Sequence, residues 1–331
     1  MVSPFLFLTK GEHHVPNHYR LLHHRLRHQS PSCSGTWFVI NPIGDTSPIG
    51  SVSLLTFKET QMKRIVRDLP IKIYHSSDAI SHSGIVQLLK SPEHYKNYKE
   101  GIVEPTPAME FGSACHSFIL EPELFAKEYV LAPKFDKRTK EGKEASAKWD
   151  EENAGKIPLT AEQIDALAAM RVSVFNHAGA ARILKDGEAE TSLFWTDEYT
   201  GLQCRIRPDW MFDRGIADLK SCITASKDGF SKAVANLGYD VQAAFYIDGM
   251  KAVTGKSVNF YFIAVEKTAP FSTACYMASQ EMVEVGRAKY RGALELLKWC
   301  QENKQYPGYQ PNGEVETIDL PRWAANFDLD D

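Results

Sequence analysis

Apolar and polar positions follow two different periods along this chain. Between Ile71 and Ile183 apolar side chains recur at three- and four-residue spacing, as in helices with one buried face. Between Thr191 and Lys220 they alternate every second residue, as in strands. Globular patterning begins near Ile71. Ser81 or Ser83 can cap a short helix ending at Lys90, and Ser91-Pro92 stops it while Pro92 opens another through Tyr95 and Tyr98. A further helix is predicted from Met109 to Leu124, and an Ala-rich one from Thr160 to Ile183, with Thr160 and Gln163 spaced as a capping box. Between these two, residues 134–156 carry seven basic and six acidic side chains and read as a solvated helix or loop.

Three consecutive strands are expected at Thr191–Trp195, Leu202–Arg207 and Gly215–Lys220, joined by turns at Asp197–Gly201 and Asp213–Gly215. An amphipathic helix follows from Leu237 to Val253, ending near Gly255. Then come apolar strands at Val258–Val265 and Ser272–Met277 and a closing helix at Gln280–Cys300. This order implies an α/β fold, with a mixed central sheet flanked by helices and a helical N-terminal layer. The first 60 residues differ. They hold six of the eleven histidines (His13, His14, His18, His23, His24 and His28) and a Ser/Pro/Gly-rich stretch without period. We expect a poorly structured His-rich extension at 1–60 and one globular domain over 71–325.

Composition narrows the class. The 331 residues are 43% hydrophobic and 24% charged, an ordinary globular balance. With 38 Lys and Arg against 42 Asp and Glu the net charge is −4, which excludes a histone-like polybasic protein. It does not exclude a nucleic-acid enzyme whose local basic groove sits on an acidic body. The six cysteines (Cys33, Cys115, Cys204, Cys222, Cys275 and Cys300) are scattered with no CxxC pair, as expected of reduced thiols in the cytoplasm. No apolar run reaches the roughly 18 residues that suggest a membrane span, and the apolar start lacks the basic region of a signal peptide.

The chemistry concentrates in Cys204-Arg205-Ile206-Arg207-Pro208-Asp209-Trp210-Met211 and Ile216-Ala217-Asp218-Leu219-Lys220-Ser221. Side chains at i and i+2 share a strand face, so Asp218 and Lys220 project together while Leu219 turns into the core. Pro208 belongs at a strand end, which puts Asp209 at the sheet rim, a hairpin away from Asp218. Two carboxylates on one rim call for a cation, and oxygen ligation with room for water suits Mg²⁺. Lys220 beside such an ion can orient water and offset phosphate charge; a surface salt bridge is the plain alternative. His116, one helical turn after Gly112, is either a metal ligand or a structural hydrogen-bonder. Glu190 is a further acidic ligand or an exposed strand terminus. Gln242 and Tyr246, at i and i+4, either order the lysine or a DNA phosphate or pack in the core. Arg205 and Arg207 share a face with Asp209 if the strand is regular, which makes them phosphate contacts or surface ion pairs.

In order, GxxxH, Glu, PD, DxK and QxxxY resemble the motifs of PDDEXK nucleases of the RecB-like type. The flanking Ala79-Ile80-Ser81-His82-Ser83-Gly84 and Ser91-Pro92-Glu93-His94-Tyr95 are similar to RecE-type exonucleases, from about Tyr74 to Trp323. The resemblance implies a Mg²⁺-dependent exonuclease (Mn²⁺ is an alternative ion) that degrades double-stranded DNA from 5′ ends and leaves 3′ single strands. It also implies a ring-forming homo-oligomer and a single-strand annealing partner. By motif, His116, Glu190, Asp209 and Asp218 would be metal ligands, with the Leu219 carbonyl a further one. Lys220 would be the catalytic lysine, acting with Asp209 and Asp218 and supported by Gln242 and Tyr246. Some relatives hold an iron–sulfur cluster; Ser91 stands where they carry Cys, and only Cys275 and Cys300 lie late in the chain, so none is expected. An endonuclease of the same fold and a catalytically silent DNA-binding module are the competing readings.

Overall fold

The computed structural model describes residues 63–101 and 106–321, so the His-rich stretch of residues 1–60 lies outside the described residues. A short strand, β1 (Lys63–Val66), precedes α1 (Ile71–Ser76), α2 (His82–Lys90) and α3 (Pro92–Glu100). Ordered structure thus starts before Ile71. β1 is almost wholly exposed and carries no apolar period, and it is held by its ladder with a later strand. Ser81 caps α2 by accepting from the Gly84 amide at 3.4 Å, and Ser91 caps α3 by accepting from the His94 amide at 3.2 Å. The stretch read as one helix from Met109 is two, α4 (Pro107–Leu120) and α5 (Pro122–Glu128), because Pro122 has no amide with which to continue α4. The charged segment forms α6 (Lys140–Glu152), set between β2 (Tyr129–Leu131) and β3 (Ile157–Leu159), which pair in parallel. The Thr160–Gln163 capping box starts α7 (Ala161–Asn176), with its two bonds at 3.2 and 2.8 Å. The Ala-rich run then breaks at His177, whose Nδ1 accepts from the Ala180 amide at 3.2 Å and caps a separate α8 (Ala178–Ile183).

Five strands occupy the region read as three: β4 (Glu188–Ala189), β5 (Ser192–Thr196), β6 (Gln203–Ile206), β7 (Trp210–Phe212) and β8 (Gly215–Cys222). They are followed by α9 (Lys227–Leu237), α10 (Tyr239–Thr254), β9 (Asn259–Glu266), β10 (Thr273–Met277) and α11 (Gln280–Asn303). The main sheet has the order β10-β9-β8-β7-β4, with β8 and β9 parallel and the other pairs antiparallel; β1, β5 and β6 form a second sheet. One antiparallel register runs through both sheets, with Leu193 opposite Ile206 and Ala189 opposite Trp210. The extra strands arise because this ribbon bends from one sheet into the other. The bend falls at Glu190-Thr191 on one side and Arg207-Pro208-Asp209 on the other. Pro208 has no amide for a ladder, and Glu190 has φ +50°, a left-handed conformation that costs a residue with a side chain about 1 kcal/mol or more.

Both faces of the main sheet are covered. Ala217 and Leu219 of β8 and Ile263 and Val265 of β9 are buried with Cys115 of α4, with Leu167 and Met170 of α7 and with Ala180 of α8. The opposite face of β9 presents Phe260 and Phe262 to the Tyr246 and Tyr239 rings of α10. Helix α11 lies across α10, where Arg287 Nε and Tyr290 Oη donate to Asp248 Oδ2 at 2.7 and 2.5 Å. No helix among the described residues is long and apolar enough to cross a membrane.

Helices α10 and α11 meet tightly at Gly286, where an added Cβ would fall 2.0 Å from the Asp240 carbonyl oxygen. Gly286→Ala must therefore push the helices apart, and we expect it to destabilise the protein by about 1–3 kcal/mol. A urea titration should show the midpoint falling while the slope is unchanged.

Candidate active site

The bend in the β4–β5/β6–β7 ribbon creates the site. Glu190 stands opposite Asp209, and the Glu190 amide donates to the Asp209 carbonyl at 3.2 Å. Like charges directly across a ladder repel, so this pair needs positive charge or protons around it. β7 pairs with β8 no further than Ala217, which leaves the edge of β8 open beside Asp209. Asp209 Oδ2 occupies that edge, accepting from the Leu219 amide at 2.7 Å. In an extended strand one residue's amide and carbonyl point to the same side, so the Leu219 carbonyl faces the same edge. From the other direction α4 brings His116, with Nδ1 3.2 Å from Asp209 Oδ2. One ligand atom each from His116, Glu190 and Asp209 lie within 4.8 Å of one another. One turn before His116, Gly112 leaves room on this helix face: an added Cβ would stand at an ordinary 3.8 Å from Ser221 Oγ.

Asp218 stands beside this trio rather than within it. Only 2% exposed, it accepts from the Gln242 side-chain amide through Oδ1. Its Oδ2 pairs with Lys220 Nζ at 2.5 Å. Lys220 Nζ also sits 4.5 Å from the centre of the Tyr239 ring. Gln242 thus orders the aspartate that pairs with Lys220. Tyr246 is buried, with its hydroxyl 3.5 Å from the Arg207 carbonyl. The two arginines part company. Arg207 holds Glu190 Oε2 at 2.7 Å from Nε and donates from Nη1 to the Leu69 carbonyl at 2.8 Å. Arg205, read as a phosphate contact or a surface ion pair, is 5% exposed and stacks on Tyr74 with its centre 4.7 Å from the ring. It donates to the Tyr74 carbonyl and, at 2.7 Å, to the Ser77 carbonyl, so its role is to tie α1 to β6. The regular face that would have grouped it with Asp209 ends at the Pro208 bend.

Glu190, Arg207, Asp209, Asp218, Lys220, Tyr239, Gln242 and Tyr246 line one cavity of about 290 Å³, together with Tyr74, His75, His82 and Tyr98 of the helical layer. Tyr239 and His82 were not foreseen. Tyr239 was legible as the i−3 member of the Tyr239, Gln242, Tyr246 helix face, whereas His82 carried no signal beyond its place after a capping serine.

Enclosure shifts the carboxyls. Burial, reinforced by Asp218, raises Asp209 to about 6 despite His116 and Lys220. Burial and then Asp209 raise Glu190 to about 8, against the pull of Arg207. Burial alone would lower Lys220, but Asp218 and Asp209 more than offset it, so the ammonium keeps its proton. Burial lowers His82 to about 4; the neutral ring donates from Nε2 to the Gly238 carbonyl at 3.0 Å. Two enclosed carboxyls raised in this way, joined by an imidazole and no thiolate, form a donor set that fits a hard divalent ion such as Mg²⁺ or Mn²⁺.

A mixed sheet whose acidic bend and DxK strand meet one helical His and one helical Gln defines the PDDEXK-like class. Residues 81–321 match the family model described as a PDDEXK-like domain of unknown function (DUF3799), and the chain belongs to that family. No curated protein matches it. A solved structure from Eubacterium rectale, described as a "putative exonuclease", shares the fold at 14% identity with a TM-score of 0.53, over 79% of this chain and 100% of that one. An alkaline exonuclease from Laribacter hongkongensis matches at 14% identity over 68% of this chain and 92% of that one, with a TM-score of 0.29.

The raised carboxyls set a pH dependence. With folded values of about 6 and about 8, Asp209 and Glu190 hold protons that the unfolded chain releases near pH 4. The folded state therefore binds more protons in this window, and stability falls as pH rises through it. In chelated protein, calorimetry should show Tm dropping between pH 5 and pH 8. Glu190→Gln should flatten the upper part of that decline.

Proposed function

We propose that the protein is a Mg²⁺- or Mn²⁺-dependent exodeoxyribonuclease of the RecE type, working in the cytoplasm on double-stranded DNA. The observation that carries this reading is the meeting of Glu190 and Asp209 with the Asp218–Lys220 pair in one cavity, with His116 completing a donor trio beside them. A divalent ion held by the three donors, with Asp218 and the Leu219 carbonyl beside it, would supply Lewis-acid charge to the scissile phosphate and acidify the attacking water.

The chain's own groups divide the remaining work. Lys220 stays protonated, orients the water and offsets charge building on the phosphate. Asp218 holds Lys220 close, and Gln242 holds Asp218. Arg207 keeps the Glu190 carboxyl aimed into the cavity. The E. rectale structure that shares this fold is described as a "putative exonuclease", which agrees with a nuclease; DNA as the substrate rests on the motif resemblance. Attack from 5′ ends, a ring-shaped homo-oligomer and an annealing partner rest on the motif resemblance to RecE-type enzymes.

The test is hydrolysis of linear duplex labelled at the 5′ or the 3′ end, run beside unnicked circular plasmid, with and without Mg²⁺. We expect early release of 5′ label, intact circles and no reaction under chelation. Cut circles would replace the exonuclease reading with an endonuclease. Lys220→Ala should lower the rate at least about 100-fold while thermal stability and DNA binding persist. Full activity in that variant would refute the assignment.

A further inference from the structure

We propose that Tyr239 is a positioning residue for Lys220, its ring face holding the ammonium over the cavity. The inference deepens the nuclease reading and rests on it. A lysine side chain is among those that lose most rotamer freedom when fixed, so a lysine held at one point needs more than one restraint. Asp218 supplies one, an ion pair at 2.5 Å, but Asp218 also answers to Gln242. The Tyr239 face supplies a second, 4.5 Å from Nζ and from a different element. A cation over an aromatic face is attracted by the ring quadrupole, and more strongly where water is excluded.

The ring is itself held. Tyr239 packs at 6.3 Å from the Phe230 ring and 6.2 Å from the Phe262 ring. The residue before it, Gly238, turns the chain between α9 and α10 with φ +70°, and an added Cβ there would meet Val86 Cγ2 at 3.1 Å. His82 fixes the Gly238 carbonyl at 3.0 Å. The residue after it, Asp240, is buried and paired with Lys289 at 2.5 Å. Helices α2 and α11 thus grip the start of α10 from two directions. That grip presents Tyr239 to Lys220 and Gln242 to Asp218.

The test compares Tyr239→Leu, which keeps an apolar side chain but removes the quadrupole, with Tyr239→Phe, which keeps the face. In metal-free protein, NMR of the Lys220 ε-methylene group, assigned by its loss in Lys220→Ala, should show an upfield ring-current shift. The shift should be retained in Tyr239→Phe and abolished in Tyr239→Leu. In the Mg²⁺-dependent reaction Tyr239→Leu should lower kcat about tenfold with KM within twofold, and Tyr239→Phe should restore it. An unshifted methylene in the parent protein would overturn the inference. So would a Tyr239→Leu protein with parental kcat where Lys220→Ala is inactive, or a Tyr239→Phe protein as impaired as Tyr239→Leu. If the parent protein cleaves no DNA the nuclease reading fails, while the methylene shift still decides whether Tyr239 holds Lys220.

Discussion

Glu190 and Asp209 face each other across one ribbon at the point where it leaves one sheet for another, and both are largely withdrawn from water. Two carboxylates so placed cannot both be charged without a cation between or beside them. The surrounding residues answer that constraint. Arg207 takes one oxygen of Glu190, the Leu219 amide and His116 engage Asp209, and the remaining cost appears as carboxyl groups that hold protons to unusually high pH. A divalent ion held between the two groups would let both take the charged form they have in water.

The same bend explains why β8 carries the chemistry. β7 pairs with β8 only through Ala217, and the following residues keep an unpaired edge. In most sheets such an edge would be covered or would bind another strand. Here Asp209 covers it by accepting the Leu219 amide. The alternation of β8 then separates two tasks: Ala217 and Leu219 anchor the strand in the core against α4 and α7, while Asp218 and Lys220 face the cavity. Site geometry and core packing are therefore consequences of one register.

Much of the fold was legible from local pattern. The Ser81 and Ser91 caps, the Thr160–Gln163 capping box, the αL residue Gly255 ending α10 and the tight turn at Asp213-Arg214 all depend on residues within four positions of one another. The missed elements had weak local signals. β1 is charged and exposed, β4 is two residues long, and β7 is three residues long and lies beyond Pro208, where the second strand was expected to end. Arg205 shows the same limit: its spacing fits a phosphate contact, but its guanidinium is enclosed by carbonyls from α1, more than 120 positions away in the chain.

Within the site, residue chemistry and order alone singled out the PD and DxK segments, His116, Glu190, Gln242 and Tyr246, because strand and helix periods determine which neighbours share a face. Which donors form a compact trio was decided only in three dimensions. Asp218 stands aside because Gln242 reaches it from α10, and Glu190 joins because it is opposite Asp209 in register. The reason is range. Periodicity and capping follow from bond geometry over a few residues, whereas the meeting of side chains far apart in sequence depends on how sheets bend and helices cross, which the packing of the whole core settles.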